Sequence, residues 1–129
     1  MRLAGYAALF GTRDAGRDAI LPGAFARTLA QRTDPLPLFW QHRPDQRIGW
    51  IESAAEDARG LRVVAAIDNP QGGAAMALRR GAVTGLSFGY RARAFTRSAE
   101  GRDLTEIDLF EVSLVTLPMQ HGARVHLLA

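Results

Sequence analysis

The 129-residue sequence has no cysteine and no lysine. The first absence excludes disulfides, thiolate metal sites and a cysteine nucleophile. The second excludes Schiff-base chemistry and the Walker-type phosphate loop, which needs a lysine. All 16 basic side chains are therefore arginine. Histidine is scarce, with only His42, His121 and His126 available for imidazole chemistry. No metal-ligand spacing is visible, so neither a metal nor another cofactor is expected. No apolar run approaches the roughly 20 residues of a membrane span, and no signal-peptide pattern opens the chain.

What remains is an ordinary globular composition. Apolar residues make up 47% of the chain and charged residues 22%, which suits one soluble domain over residues 1–129 with its own core. The net charge of +3 is mildly basic. Arginines spread over a small domain usually form a solvated face, and no specific nucleic-acid partner is expected from them. A single-strand-binding barrel would want aromatics interleaved with arginines on one face. Here Phe88 and Tyr90 share a face and Arg91 and Arg93 fall on the other.

The local patterns are mostly those of strands. Residues 2–10 read as a first strand, Asp18–Leu21 as a short one, and Leu36–Gln41 as one leading to His42. A loop is expected from His42 to Gln46, then strands over Arg47–Ser53 and Leu61–Ile67. Helices are expected over Ala24–Gln31 and Ala74–Arg80, the second ended by Gly81 at its C′ position. A strand from Gly85 runs to about Phe95, a polar turn covers Ser98–Arg102, and Leu104–Leu117 forms a long strand or strand pair. Ala123–Leu128 supplies the last strand. The fold class is mainly β with a few short helices, an antiparallel, closed or nearly closed barrel with flanking helices.

The most unusual stretch is Thr84-Gly85-Leu86-Ser87-Phe88-Gly89-Tyr90. Bulky residues alternate with Gly, Ser and Gly, so one strand face is filled and the other nearly bare. Glycine inside a strand often marks close approach by another backbone or a ligand. The segment matches G-x-S-x-G, but a nucleophile elbow needs a strand before it and a helix after it, the reverse of this context. Serine attacks at neutral pH only when a base takes its proton, and histidine is the usual base. His42 closes an apolar strand and is the candidate. Glu111, flanked by Phe110 and Val112, is a candidate to orient it, because a carboxylate among apolar neighbours needs a partner. His42 as a capping group and Glu111 paired to an arginine remain the plainer readings, and His121 and His126 compete for the orienting role.

These pieces resemble the prohead, or head maturation, serine proteases of tailed phages, which are similar to herpesvirus assemblin. The resemblance runs through Gly5-Tyr-Ala-Ala-Leu-Phe10 and Ile20-Leu-Pro-Gly-Ala-Phe25. It continues through Pro37-Leu-Phe-Trp-Gln-His42, Gly85-Leu-Ser-Phe-Gly-Tyr90 and Glu111-Val-Ser-Leu-Val115 with Pro118 and Ala123. It implies an assemblin-like fold, with Ser87 as nucleophile, His42 as general base and acid, and Glu111 orienting the histidine where assemblin-type enzymes use a second histidine. His121 is the alternative third member, since Met119-Gln120-His121 follows Pro118 where the family pattern has a small residue and an asparagine. The implied function is cleavage of the major capsid protein and its scaffolding segment, and of the protease itself, inside an assembling procapsid in the bacterial cytoplasm. Homodimerisation is implied as well. A non-catalytic assembly factor of the same fold is the rival expectation.

Overall fold

The computed structural model describes residues 1–129, all but the side chain of Leu127. Eight strands and two short helices follow one another as β1 (Arg2–Leu9), β2 (Asp18–Ile20), α1 (Ala26–Gln31), β3 (Pro37–Trp40), β4 (Arg43–Glu56) and β5 (Gly60–Ile67). They continue with α2 (Gly73–Arg79), β6 (Gly85–Ser98), β7 (Gly101–Val115) and β8 (Val125–Leu128). The strands form one sheet in the order β2-β7-β3-β4-β5-β1-β8, with β6 on β7. The sheet curls into a half-barrel whose ends approach through an isolated bridge between Gly85 and Arg124. Leu86 N–H donates to the Ala123 carbonyl (2.8 Å) and Val125 N–H to the Thr84 carbonyl (2.9 Å) at the same seam. Among the described residues, no helix is long and apolar enough to cross a membrane.

Two pairings correct a purely antiparallel barrel. Both β2 and β3 lie parallel to β7, with Ile20 opposite Leu104 and Phe39 opposite Ser113. The long β7 thus meets β6 over most of its length and is joined by two short strands as well. Helix α1 starts at Ala26, two residues later than expected, after a turn over residues 22–25 in which Gly23 takes a left-handed φ of 93°. Helix α2 ends as expected, with Gly81 at φ 71° beyond its last turn.

The core lies on the inner face of this sheet. Leu38, Leu61, Val63, Leu86, Leu104, Ile107, Val112 and Leu114 are almost wholly buried there. Phe25 is the largest buried side chain; it meets Phe88 edge-on at 5.5 Å, and Phe88 stacks on Tyr90 at 4.8 Å. Burying each such side chain contributes about 2 kcal/mol, enough for the core face of β6 and β7 to fix what points the other way.

A candidate active site on strands β6 and β7

Strands β6 and β7 form one long hairpin, and its register sets the site. Ser87 stands opposite Ser113, and Gly89 opposite Glu111. Directly paired residues share a sheet face, so all four lie on the face opposite Leu86, Phe88, Val112 and Leu114. The bare face expected for the Ser87 stretch is this one. Its second wall is the Glu111 and Ser113 side of β7.

Glu111 reaches that face because the alternation breaks just before it. Tyr90 pairs with Leu109 while Gly89 pairs with Glu111, so Phe110 is one extra residue on β7. Uninterrupted alternation from Ile107 and Leu109 would put Glu111 in the core. The bulge leaves Leu109 and Val112 both buried, Phe110 exposed and Glu111 beside the serines. Re-aiming a side chain is a common use of a bulge. Gly89 makes room for the result: a Cβ there would come to 2.5 Å from Glu111 Oε1. Gly85 likewise lets Pro118 close against β6, since a Cβ there would lie 2.9 Å from Pro118 Cδ.

His42 arrives from a different element. Trp40 pairs with Arg43, so Gln41 and His42 alone make the turn between β3 and β4. Both have positive φ, 52° and 61°. This corrects the loop expected from His42 to Gln46. The turn has two residues, and Pro44–Gln46 instead form an unpaired excursion within β4, before Phe39 pairs with Arg47. Two-residue hairpin turns with both φ values positive favour Asn and Gly, and neither Gln nor His adopts that conformation cheaply. Bonds to β7, and to Thr116 just beyond that strand, hold it. Gln41 N–H donates to the Leu114 carbonyl (2.9 Å), Thr116 N–H to Gln41 Oε1 (3.2 Å), and His42 N–H to Ser113 Oγ (3.1 Å).

From this turn the imidazole reaches back to β7. His42 Nδ1 lies 2.5 Å from Glu111 Oε1. The second carboxylate oxygen, Oε2, accepts a hydrogen bond from the Ser113 hydroxyl at 2.6 Å. Glu111 is buried and its partners are His42 and Ser113, not an arginine. The hydrogen bond that His42 donates to Glu111, supported by the carboxylate charge and opposed by partial burial, raises the His42 pKa above its ordinary value. The imidazole is 41% exposed. Ser87 is only 3% exposed, and its Oγ is a buried polar atom without a hydrogen-bond partner. The nearly bare face of this strand is thus covered over Ser87 in this conformation.

The other two histidines lie elsewhere. The His121 ring meets the Arg124 guanidinium at 3.4 Å, and the His126 ring packs 5.9 Å from Tyr6. Arg124 also donates to the His121 carbonyl and to Thr84 Oγ1, tying the loop before β8 to the start of β6. The buried Gln120 amide exchanges hydrogen bonds with both backbone groups of Leu9. Sequence reading missed Ser113 and Gln120. A lone serine in an apolar strand carries no spacing signal, although counting back from the Ala99–Glu100 turn places Ser113 within one residue of Ser87. Among the described residues, no group of three or more His, Asp or Glu side chains is arranged to hold a metal ion.

Comparison with known proteins places the chain in a family. The model of the caudovirus prohead serine protease matches residues 1–129. The chain belongs to that family. It is 34% identical over 128 residues to the prohead protease of Enterobacteria phage HK97, covering 94% of this chain and 57% of the relative. It is 29% identical over 107 residues to a capsid polyprotein of Pseudomonas phage PAJU2, covering 74% of this chain and 16% of that one. The chain therefore spans little more than half of the phage HK97 protein. In fold it is similar to the Kaposi's sarcoma herpesvirus protease, at a TM-score of 0.63 and 18% identity over 96% of this chain and 63% of that one. The varicella-zoster virus protease is similar at a TM-score of 0.61 and 20% identity, over 97% and 62%. The assemblin-like fold expected from the sequence is the fold observed.

Proposed function

We propose that this prohead-protease chain is a serine endopeptidase that cleaves capsid and scaffold polypeptides, and itself, during maturation of a phage or phage-like procapsid. The observation that carries the reading is the His42–Glu111 hydrogen bond, with Glu111 on the same face of the β6–β7 hairpin as Ser87. In the proposed reaction His42 Nε2 takes the Ser87 proton as Oγ attacks the scissile carbonyl carbon. Glu111 accepts from Nδ1–H, which fixes the tautomer and stabilises the imidazolium that forms. The imidazolium then gives its proton to the leaving amine, and the C–N bond breaks. Water, deprotonated by His42, hydrolyses the acyl-serine and restores Ser87. Because Ser87 Oγ is buried, the reading requires the face over Ser87 to open as substrate docks; catalytic contacts often tighten only then.

The phage HK97 relative is a prohead protease and the phage PAJU2 relative a capsid polyprotein, which supports capsid polypeptide as the substrate class. The test is the intact mass of the major capsid protein after co-expression with wild type or Ser87→Ala. Loss of a defined segment with wild type alone is the expected result. Full-length capsid protein in both cases, with folded chain present, would overturn the reading in favour of a non-catalytic assembly factor. Homodimerisation belongs to the same proposal: specific activity should fall on dilution through the monomer–dimer transition, and a flat profile would remove it.

A further inference from the structure

Ser113 is wholly buried, yet its hydroxyl makes two contacts that meet in the same place. It donates to Glu111 Oε2 (2.6 Å) and accepts from His42 N–H (3.1 Å). A hydroxyl has a single proton to give and lone pairs to receive, so this pair of contacts uses it in both senses. Glu111 Oε1 meanwhile faces His42 Nδ1 at 2.5 Å. The four groups close a ring in which His42 is held at two points, its backbone amide by Ser113 and its imidazole by Glu111. The residue so held has a left-handed φ of 61°, a conformation that a non-glycine residue keeps only when its surroundings impose it.

We propose that Ser113 is a positioning residue whose hydroxyl locks the Glu111 carboxylate and the His42 backbone together, and so keeps the imidazole on the carboxylate. The inference rests on the protease reading for its consequence in catalysis, but the ring itself can be tested without it. Removing the hydroxyl frees both ends at once. The His42 amide loses its acceptor, and Oε2 loses the donor that fixes the rotation of the carboxylate. A hydroxyl that only satisfied buried polar groups would affect stability and leave the imidazole unmoved.

The experiment compares Ser113→Ala and Ser113→Thr in a Ser87→Ala background, which prevents self-cleavage, by nuclear magnetic resonance of the imidazoles. In Ser113→Ala the His42 titration midpoint should move down toward the ordinary imidazole value, and the low-field signal of the Nδ1 proton should be lost. Ser113→Thr, which keeps the hydroxyl, should retain both. An unchanged midpoint and proton signal in folded Ser113→Ala would overturn the proposal, as would equal loss in the Ala and Thr variants. If Ser113→Ala does not fold, Ser113→Cys, of similar size and a much weaker donor, takes its place under the same criteria. With Ser87 restored, kcat should fall about 10- to 100-fold in Ser113→Ala with KM little changed, a partial loss of the roughly 10²–10⁴-fold that a general base contributes. Equal inactivity of wild type and Ser87→Ala would sink the protease reading alone, since the imidazole spectra would still report on the ring.

Discussion

At the scale of single residues, the His42–Glu111 pair has a pH signature with a definite sign. Its bond to Glu111 raises the His42 pKa, and a general base works only when neutral. The acidic limb of kcat/KM should therefore lie above the ordinary imidazole value of about 6.5. Glu111→Gln should move that limb down and lower kcat by about 10²–10⁴, the range seen when an orienting carboxylate loses its charge. A limb that stays in place would remove Glu111 from the proposed mechanism. The same shift bears on stability. A raised histidine pKa contributes stability fully present below the unfolded value and lost as pH rises through the folded one. The stability gap between wild type and Glu111→Gln should thus be widest just below about pH 6.5 and shrink as pH rises, as denaturant titrations at several pH values would show. Gly89 gives a purely steric counterpart. A Cβ there would come to 2.5 Å from Glu111 Oε1, so Gly89→Ala must displace the carboxylate. Its activity should drop by at least about tenfold while stability falls by only about 1–3 kcal/mol, the usual cost of overpacking.

At the scale of elements, the site is made by departures from regularity. The extra residue Phe110 turns Glu111 outward, and the two-residue turn at Gln41-His42 brings the imidazole from β3 to β7. A strand pattern read along one segment cannot show either device. The bulge is visible only against the register of β6, and the turn lacks the Asn or Gly that would advertise it. The strand ranges were legible where the pattern is local, an apolar run in β1 and alternating burial in β5. The parallel placement of β2 and β3 on β7 was not, because those partners lie some 70 to 85 residues away and leave no local trace. Ser87, Glu111 and His42 could be singled out by residue type and neighbours, whereas Ser113 is identified only by what faces it. The strained turn makes its own prediction. Gln41→Gly relieves a left-handed conformation costing about 1–2 kcal/mol but gives up the bond from Thr116 N–H, worth about 1 kcal/mol. Calorimetric stability should change by no more than about 1 kcal/mol, while a looser His42 lowers kcat severalfold. A large stability loss with full activity would mean that the turn serves folding alone.

At the scale of the molecule, a second polar network ties three strands together. Strand β2 has three residues; it pairs with β7 and is bridged by Phe10 and Arg13 of the chain that follows β1. Asp18 at its start is buried, accepts two hydrogen bonds from the Arg102 guanidinium (2.8 Å each) and one from the Tyr90 hydroxyl (2.5 Å). One carboxylate thus ties β2 to both β6 and β7, and through the Tyr90–Phe88 stack to the aromatic core. The Arg102 bond, opposed by burial and reinforced by Tyr90, holds the Asp18 pKa below its ordinary value. The sign is the reverse of that for His42: this stability is present above the unfolded carboxyl value of about 3.9 and is lost as pH falls through the lower folded one. Arg102→Ala leaves a buried carboxylate with only the tyrosine, which should cost about 3 kcal/mol at neutral pH, the order expected when half of a buried ion pair is removed. Tyr90→Phe leaves the bidentate pair intact and should cost about 1 kcal/mol. Neither side chain touches His42, Glu111 or Ser113, so kcat measured well below the melting temperature should stay near wild type in both. Urea titrations at pH 7 and pH 3 give the decisive comparison. The deficit of Arg102→Ala should be clear at pH 7 and diminished at pH 3; a deficit independent of pH would assign the loss to arginine packing rather than to the Asp18 charge.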